Sequence, residues 1–218
     1  MRQLALDITL SPAPTFGNFV VGCNAELIAH LQTAISGSSE RFIYLWGEPG
    51  SGRTHLLKAA AAQAGADACY VACGDADAFN DTATLLLADD VEQLSGTAQI
   101  ALFNRYNALR ESGGGLIASG NVPPVQLTLR ADLLTRLGWG LVLQVHPLSD
   151  EEKGRALAQR AQARGFTLNA EVIAYLLHHA PRNTGALFAT LDALDRYALA
   201  AKRGVTVPLV RAWLSENT

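Results

Sequence analysis

The stretch RFIYLWGEPGSGRTHLLKAAAAQAG, residues 41–65, decides the fold. Its opening run FIYLW is aromatic and aliphatic and stops at Gly47, and its closing run HLLKAAAAQA is rich in leucine and alanine. The first reads as a strand and the second as a helix. Between them GEPGSGRT (Gly47–Thr54) fits the phosphate-binding pattern G-x-x-x-x-G-K-[ST] with one departure, Arg53 in place of lysine. The three glycines let the backbone curl so that successive N–H groups point at phosphate oxygens, and the N-terminus of the following helix adds partial positive charge. The order strand, glycine loop, helix therefore predicts a nucleotide site, and not a ligand-free turn, formed by Gly47, Pro49, Gly50, Ser51, Gly52, Arg53, Thr54 and His55. Thr54 would place its hydroxyl on Mg²⁺. Arginine offers a planar fork where lysine offers a point charge. The loop thus predicts binding ahead of turnover.

Outward from this unit the strand signals repeat. ACYVAC (Ala68–Cys73), TLLLADD (Thr84–Asp90), GLIAS (Gly115–Ser119) and LVLQV (Leu141–Val145) are largely continuous apolar runs, which suit a parallel sheet covered on both faces. The fold class read from this pattern is α/β with a parallel core. Only GDADAFNDTA separates the second and third runs, close to the shortest parallel connection. TLLLADD ends in Asp89 and Asp90. An acid there, beside a phosphate loop, can hold Mg²⁺ through water while its neighbour polarises the attacking water; the plainer alternative is a solvated strand end. After Pro147 the pattern is helical throughout. SDEE (Ser149–Glu152) is a capping box that opens a helix toward Gly165; Asn169 can cap AEVIAYLLHHA; a third helix covers ALFATLDALDRYALAAKR up to Gly204; Pro208 sits early in a fourth. The expected organisation is an α/β nucleotide-binding domain over 11–147 and a small helical domain over 148–218, preceded by an arm over 1–10.

The 218 residues, 49% hydrophobic and 17% charged, are enough for one sizeable core plus an appendage. Runs such as LLLA (Leu85–Ala88) are far short of a membrane helix, and MRQLALDITL carries charges inside its apolar stretch, against a secretory signal. A net charge of −3 gives no general pull toward DNA, so any nucleic acid is expected to be reached through a partner. Cys23, Cys69 and Cys73 are an odd number without metal-ligand spacing, which favours buried reduced thiols in a cytoplasmic protein.

Together, TFGNFVVGCN (Thr15–Asn24), the loop, the ADD strand end and LRADLLTRLGWGL (Leu129–Leu141) resemble the AAA+ region of the bacterial initiator DnaA, and more closely its shorter Hda-like relatives, the regulatory inactivators of DnaA. The resemblance runs from Gln3 to the last helix. It implies an AAA+ fold with a helical lid and an adenine nucleotide, ADP or ATP, with Mg²⁺ on Thr54 and Asp89. Phe19, Val20 and Val21 in NFVVG match the segment bordering the adenine, although all three also suit a core. Asn121 in ASGNVPP matches the sensor I region, at a position the family often fills with aspartate, where its amide would orient water near the γ-phosphate. Arg136 in LLTRLGWG matches the arginine finger offered to a neighbouring subunit's nucleotide. Arg182 in PRNTGALF matches the lid's sensor II arginine, or Gly185 does and the sensor is empty. Hda-like proteins tend to carry arginine in the loop, and the sequence ends at Thr218 inside the lid without a DNA-binding domain, so the resemblance points away from an initiator.

QLALDI (Gln3–Ile8) resembles the peptide by which Hda and other proteins bind the sliding clamp of the replicative polymerase. Gln3 would hydrogen-bond while Leu4, Leu6 and Ile8 fill apolar pockets; the alternative is a first strand. The expected function is activation of hydrolysis of DnaA-bound ATP, with weak or no ATPase activity of its own, in a cytoplasmic protein that meets DNA through the clamp; homo-oligomers remain compatible with a finger of this kind. The alternatives are a self-standing ATPase, told apart by solitary turnover, and a non-catalytic adaptor, told apart by indifference to loss of Arg136.

Overall fold

The computed structural model describes residues 13–75, 79, 82–181, 183–201 and 203–217. Five strands form the sheet: β1 (Phe42–Trp46), β2 (Ala68–Ala72), β3 (Leu85–Asp89), β4 (Gly115–Gly120) and β5 (Leu141–Gln144). Their order is β2-β3-β4-β1-β5 and every pairing is parallel. The five expected strands are all present, each within a residue or two of its expected bounds. The short connection suffices, because β2 and β3 are parallel neighbours in the register Ala68↔Leu85 to Ala72↔Asp89.

The alternation of strand side chains explains the continuous apolar runs. On one face Phe42, Tyr44, Leu86, Ala88, Leu116 and Ala118 pack against α3 (Gly96–Ser112) and α4 (Ala131–Leu137). On the other Ile43, Leu45, Leu85, Leu87 and Ile117 meet α1 (Ala25–Ile35) and α2 (Arg53–Ala64). Helix α3 is capped by Ser95, whose hydroxyl accepts the Ala98 N–H, and stops at Gly113 in the left-handed region.

Four helices follow: α5 (Asp150–Ala163), α6 (Ala170–His179), α7 (Thr184–Ala201) and α8 (Val207–Asn217). The Ser149 hydroxyl accepts the Glu152 N–H while the Glu152 carboxylate accepts the Ser149 N–H, the reciprocal box read from the sequence. Asn169 caps α6 through the Val172 N–H. Leu157, Val172, Leu176, Leu187, Leu191, Leu194 and Val210 close an apolar core of their own. Across α5 and α7, Arg160 grips Asp192 with two hydrogen bonds of 2.9 and 2.6 Å, and Arg164 adds a third at 3.1 Å.

Among the described residues, no helix is long and apolar enough to cross a membrane. Of the three cysteines only Cys73 is fully buried, its thiol pushed up to about 12 by burial and then by Asp89 and Asp90; Cys69 is half-buried. Cys23 is exposed, against the expectation of burial, because it lies in the turn that precedes α1.

Candidate functional site: a cleft between phosphate loop and lid

The loop leaves β1 at Gly47, whose N–H extends the pairing with β4 by donating to the Gly120 carbonyl at 3.3 Å. Pro49 stands exposed on the turn and Ser51 is buried beneath it. Gly50 and Gly52 adopt φ of +84° and +105°, conformations that side-chain-bearing residues rarely take. Space is also short there, since a Cβ on Gly52 would stand 2.7 Å from the Phe19 ring and one on Gly50 would stand 2.5 Å from the Asn183 Cβ. Gly52 is the N-cap of α2, so the helix N-terminus opens at the loop.

A cleft of about 440 Å³ lies over this loop. Gly50, Ser51, Gly52, Arg53, Thr54 and His55 line one side with Phe19 and Val20; Asn183, Thr184, Gly185 and Phe188 of the lid line the other. Its apolar and phosphate-facing parts suit a nucleotide. The entry segment is pinned from below. Asn24, almost fully buried, donates from its amide to the His146 carbonyl (2.9 Å) and accepts the His146 N–H (2.8 Å). The His55 Nε2–H donates to the Thr15 carbonyl at 2.9 Å, and the His55 ring lies 5.4 Å from that of Phe19.

Several expected residues fall outside this lining. Val21 is exposed and turned from the cleft. Asn121 is exposed just past β4. Arg182 and the Gln3–Ile8 peptide lie outside the described residues, whereas Gly185, the alternative sensor II position, lines the cleft. Sequence reasoning missed Asn24, His146, Leu148, Arg160, Asn183, Phe188 and Asp192, all of which line it. Asn24 closes the TFGNFVVGCN stretch; Arg160 and Asp192 meet across 32 residues of sequence and carry no local signal.

Beneath the loop is a charged cluster. Arg53 is buried, with its Nη2 3.1 Å from Asp90 Oδ1 and its Nη1 3.9 Å from Glu92 Oε1. Neither contact has hydrogen-bond geometry, and Arg53 Nη1, Asp90 Oδ1 and Glu92 Oε2 are buried without a hydrogen-bond partner. Asp90 sits in the left-handed region at φ +56°. Burial, reinforced by the Asp89 charge, lifts the Asp90 carboxyl above the ordinary range, and Arg53 pulls it part of the way back. Burial likewise raises Glu92, offset by a backbone hydrogen bond and by Arg53. Asp89 is buried with both oxygens engaged: Ser119 donates its hydroxyl to Oδ1, and the Tyr70 hydroxyl donates to Oδ2 at 2.8 Å. Of the two residues expected to hold Mg²⁺, Thr54 is exposed in the cleft lining, while Asp89 fits the ion poorly. Mg²⁺ at a nucleotide is held through one or two carboxylates with free oxygens, beside waters and phosphates, while both Asp89 oxygens are engaged and the neighbouring Asp90 faces a guanidinium.

Arg136 stands elsewhere. It is absent from the cleft lining, half-buried near the end of α4, with Nε donating to Asn107 Oδ1 at 3.1 Å and its guanidinium 4.0 Å over the exposed ring of Trp139.

The profile described as Bacterial DnaA ATPAse domain matches residues 10–72, and the profile described as Hda, lid domain matches residues 150–214. The chain is a DnaA-related AAA+ protein, Hda-like in its lid. Domain III of the Thermotoga maritima replication initiation protein DnaA superposes with a TM-score of 0.77 at 23% identity, over 94% of this chain and 97% of that one. AMPPCP-bound DnaA from Aquifex aeolicus gives a TM-score of 0.72 at 26% identity, over 86% of this chain and 66% of that one. The Thermotoga maritima RuvB Holliday junction branch migration motor shares the fold alone, at 13% identity and a TM-score of 0.65 over 86% of this chain and 66% of that one. This DnaA-related chain thus places the phosphate loop of an AAA+ sheet domain against a helical lid.

Proposed function

We propose that this protein is a regulatory inactivator of the initiator DnaA. It holds an adenine nucleotide, ADP or ATP, between Phe19, the phosphate loop and the lid; the AMPPCP carried by a DnaA relative supports that ligand class. Tethered to the DNA-loaded sliding clamp through Gln3, Leu4, Leu6 and Ile8, it offers Arg136 to the ATP of a neighbouring DnaA. A guanidinium that reaches the transferred phosphoryl group neutralises charge developing there. The ADP-bound initiator so formed does not start another round of replication. The arm, the α/β domain and the lid, divided near residues 10 and 147, are the three working parts, and DNA is met only through the clamp, in the cytoplasm.

The observation that carries this reading is the position of Arg136: outside its own cleft, beside exposed Trp139, with its hydrogen bond and ring contacts all to uncharged groups. The pairing of Asp90 with Arg53 supports weak turnover of the protein's own nucleotide, because a carboxylate held by a guanidinium polarises water poorly. The test is release of labelled phosphate from ATP preloaded on DnaA, with clamp on DNA, with and without this protein. Faster hydrolysis is expected. An unchanged DnaA rate alongside brisk solitary turnover would replace this reading with that of a self-standing ATPase.

A further inference from the structure

Three carboxylates, Asp89, Asp90 and Glu92, end or follow β3 beside a cleft suited to a polyphosphate. Negative phosphates cannot approach such a cluster without a cation between them, and the residue that sits there is Arg53. It lines the cleft, its side chain is 9% exposed, and it faces Asp90 at 3.1 Å and Glu92 at 3.9 Å. A guanidinium has five N–H donors in a fixed fork. Nη2 is directed at Asp90, while Nη1 is buried without a hydrogen-bond partner. The group therefore offsets the charge of the two acids beneath the cleft and keeps a donor uncommitted, in a fixed plane that the single ammonium of a lysine lacks.

We propose that Arg53 takes the place of a divalent cation in this cleft, so that the diphosphate of the nucleotide is held without Mg²⁺. The inference rests on the nucleotide reading above and adds to it the identity of the counter-charge. Asp89 is satisfied by the Ser119 and Tyr70 hydroxyls and serves the strand end, not a metal. Asp90 and Glu92 serve to hold Arg53 at the floor of the cleft. Arg53 is a binding and positioning residue here, and its lysine counterpart would leave the two acids to a metal.

The experiment is calorimetric titration of ADP into the full chain, in excess EDTA and again in excess Mg²⁺. The wild-type affinities should agree within about twofold. Arg53→Gln, which uncovers both acids, should bind weakly in EDTA and regain roughly tenfold or more with Mg²⁺. Arg53→Lys gives the same contrast should the glutamine variant fail to fold, as shown by its melting. Wild-type binding that falls about tenfold or more in EDTA would overturn the proposal, as would equal indifference to Mg²⁺ in a folded Arg53 variant that binds as tightly as the wild type. Absence of ADP binding under both conditions would instead remove the nucleotide reading itself, and this inference with it.

Discussion

Gly50 of the phosphate loop and Asn183 at the head of α7 touch so closely that a Cβ on Gly50 would lie 2.5 Å from the Asn183 Cβ. The loop and the lid are therefore in direct contact, and the size of one side chain sets how near they come. Gly50→Ala meets two penalties, the left-handed φ of +84° and this collision. Strain of that kind costs about 2 kcal/mol, roughly 4–8 °C in a chain of this size. Gly37→Ala is the control: its φ is +76° but nothing lies within 4 Å. Both variants should melt lower by differential scanning calorimetry, and Gly50→Ala alone should also lose ADP affinity, because only it pushes the lid from the loop.

Arg53 makes stability depend on pH in a direction that can be worked out. Asp90 and Glu92 titrate above the ordinary carboxylate range in the folded protein, so the folded state binds more protons than the unfolded one. Stability attached to them is present in acid and is lost as pH rises through the window between the ordinary and the raised values. Arg53 opposes the rise. Arg53→Ala removes that opposition, so its deficit should be small near pH 4 and grow toward neutrality. At pH 7 we expect about 2 kcal/mol, less than the ~3–5 kcal/mol of a fully buried broken pair, because Asp90 and Glu92 keep 30% and 22% exposure. Urea unfolding across that pH range measures it; a deficit that shrinks with rising pH would contradict the assignment.

The inner strands β1, β3 and β4 were legible because each is buried on both faces, which leaves a continuous apolar signature in the chain; the edge strands β2 and β5 carry apolar runs although they are only partly buried. The lid helices were legible from their caps, Ser149 with Glu152 and Asn169 with Val172, which are local by nature. Helix α3 escaped notice although its buried Ala98, Leu102, Tyr106 and Leu109 recur at helical spacing, because polar residues interleave with them. At the site, the loop itself was readable, since its glycines answer to backbone geometry. The destination of Arg53 was not: Asp90 and Glu92 lie 37 and 39 residues away and are brought beneath the loop only by the sheet, in which β4 separates β3 from β1. The lining by Arg160 and Asp192 was hidden for the same reason.

The N-terminal peptide makes its own prediction, from sequence alone. Alanine at Gln3, Leu4 and Leu6 removes the polar anchor and two pocket-filling side chains. Clamp binding by surface plasmon resonance should vanish while the melting temperature moves by no more than a degree or so, as for a terminal arm. A large drop in melting would make the segment a strand of the fold.

The account turns on Arg136. Arg136→Ala should leave ADP and clamp binding intact yet lose the acceleration of DnaA-bound ATP hydrolysis, since arginine fingers are worth about 10³ to 10⁵ in rate. Arg136→Lys should restore little, lacking the planar fork. Arg130, whose fork is held by Asp132 at 3.2 and 2.9 Å on the exposed surface, is the control and should tolerate alanine with a mild defect at most. The decisive measurement is the single-turnover rate of phosphate release from DnaA-bound ATP, with clamp on DNA, for these variants. The account predicts the unstimulated rate for Arg136→Ala and near wild-type stimulation for Arg130→Ala; full stimulation by Arg136→Ala would contradict it.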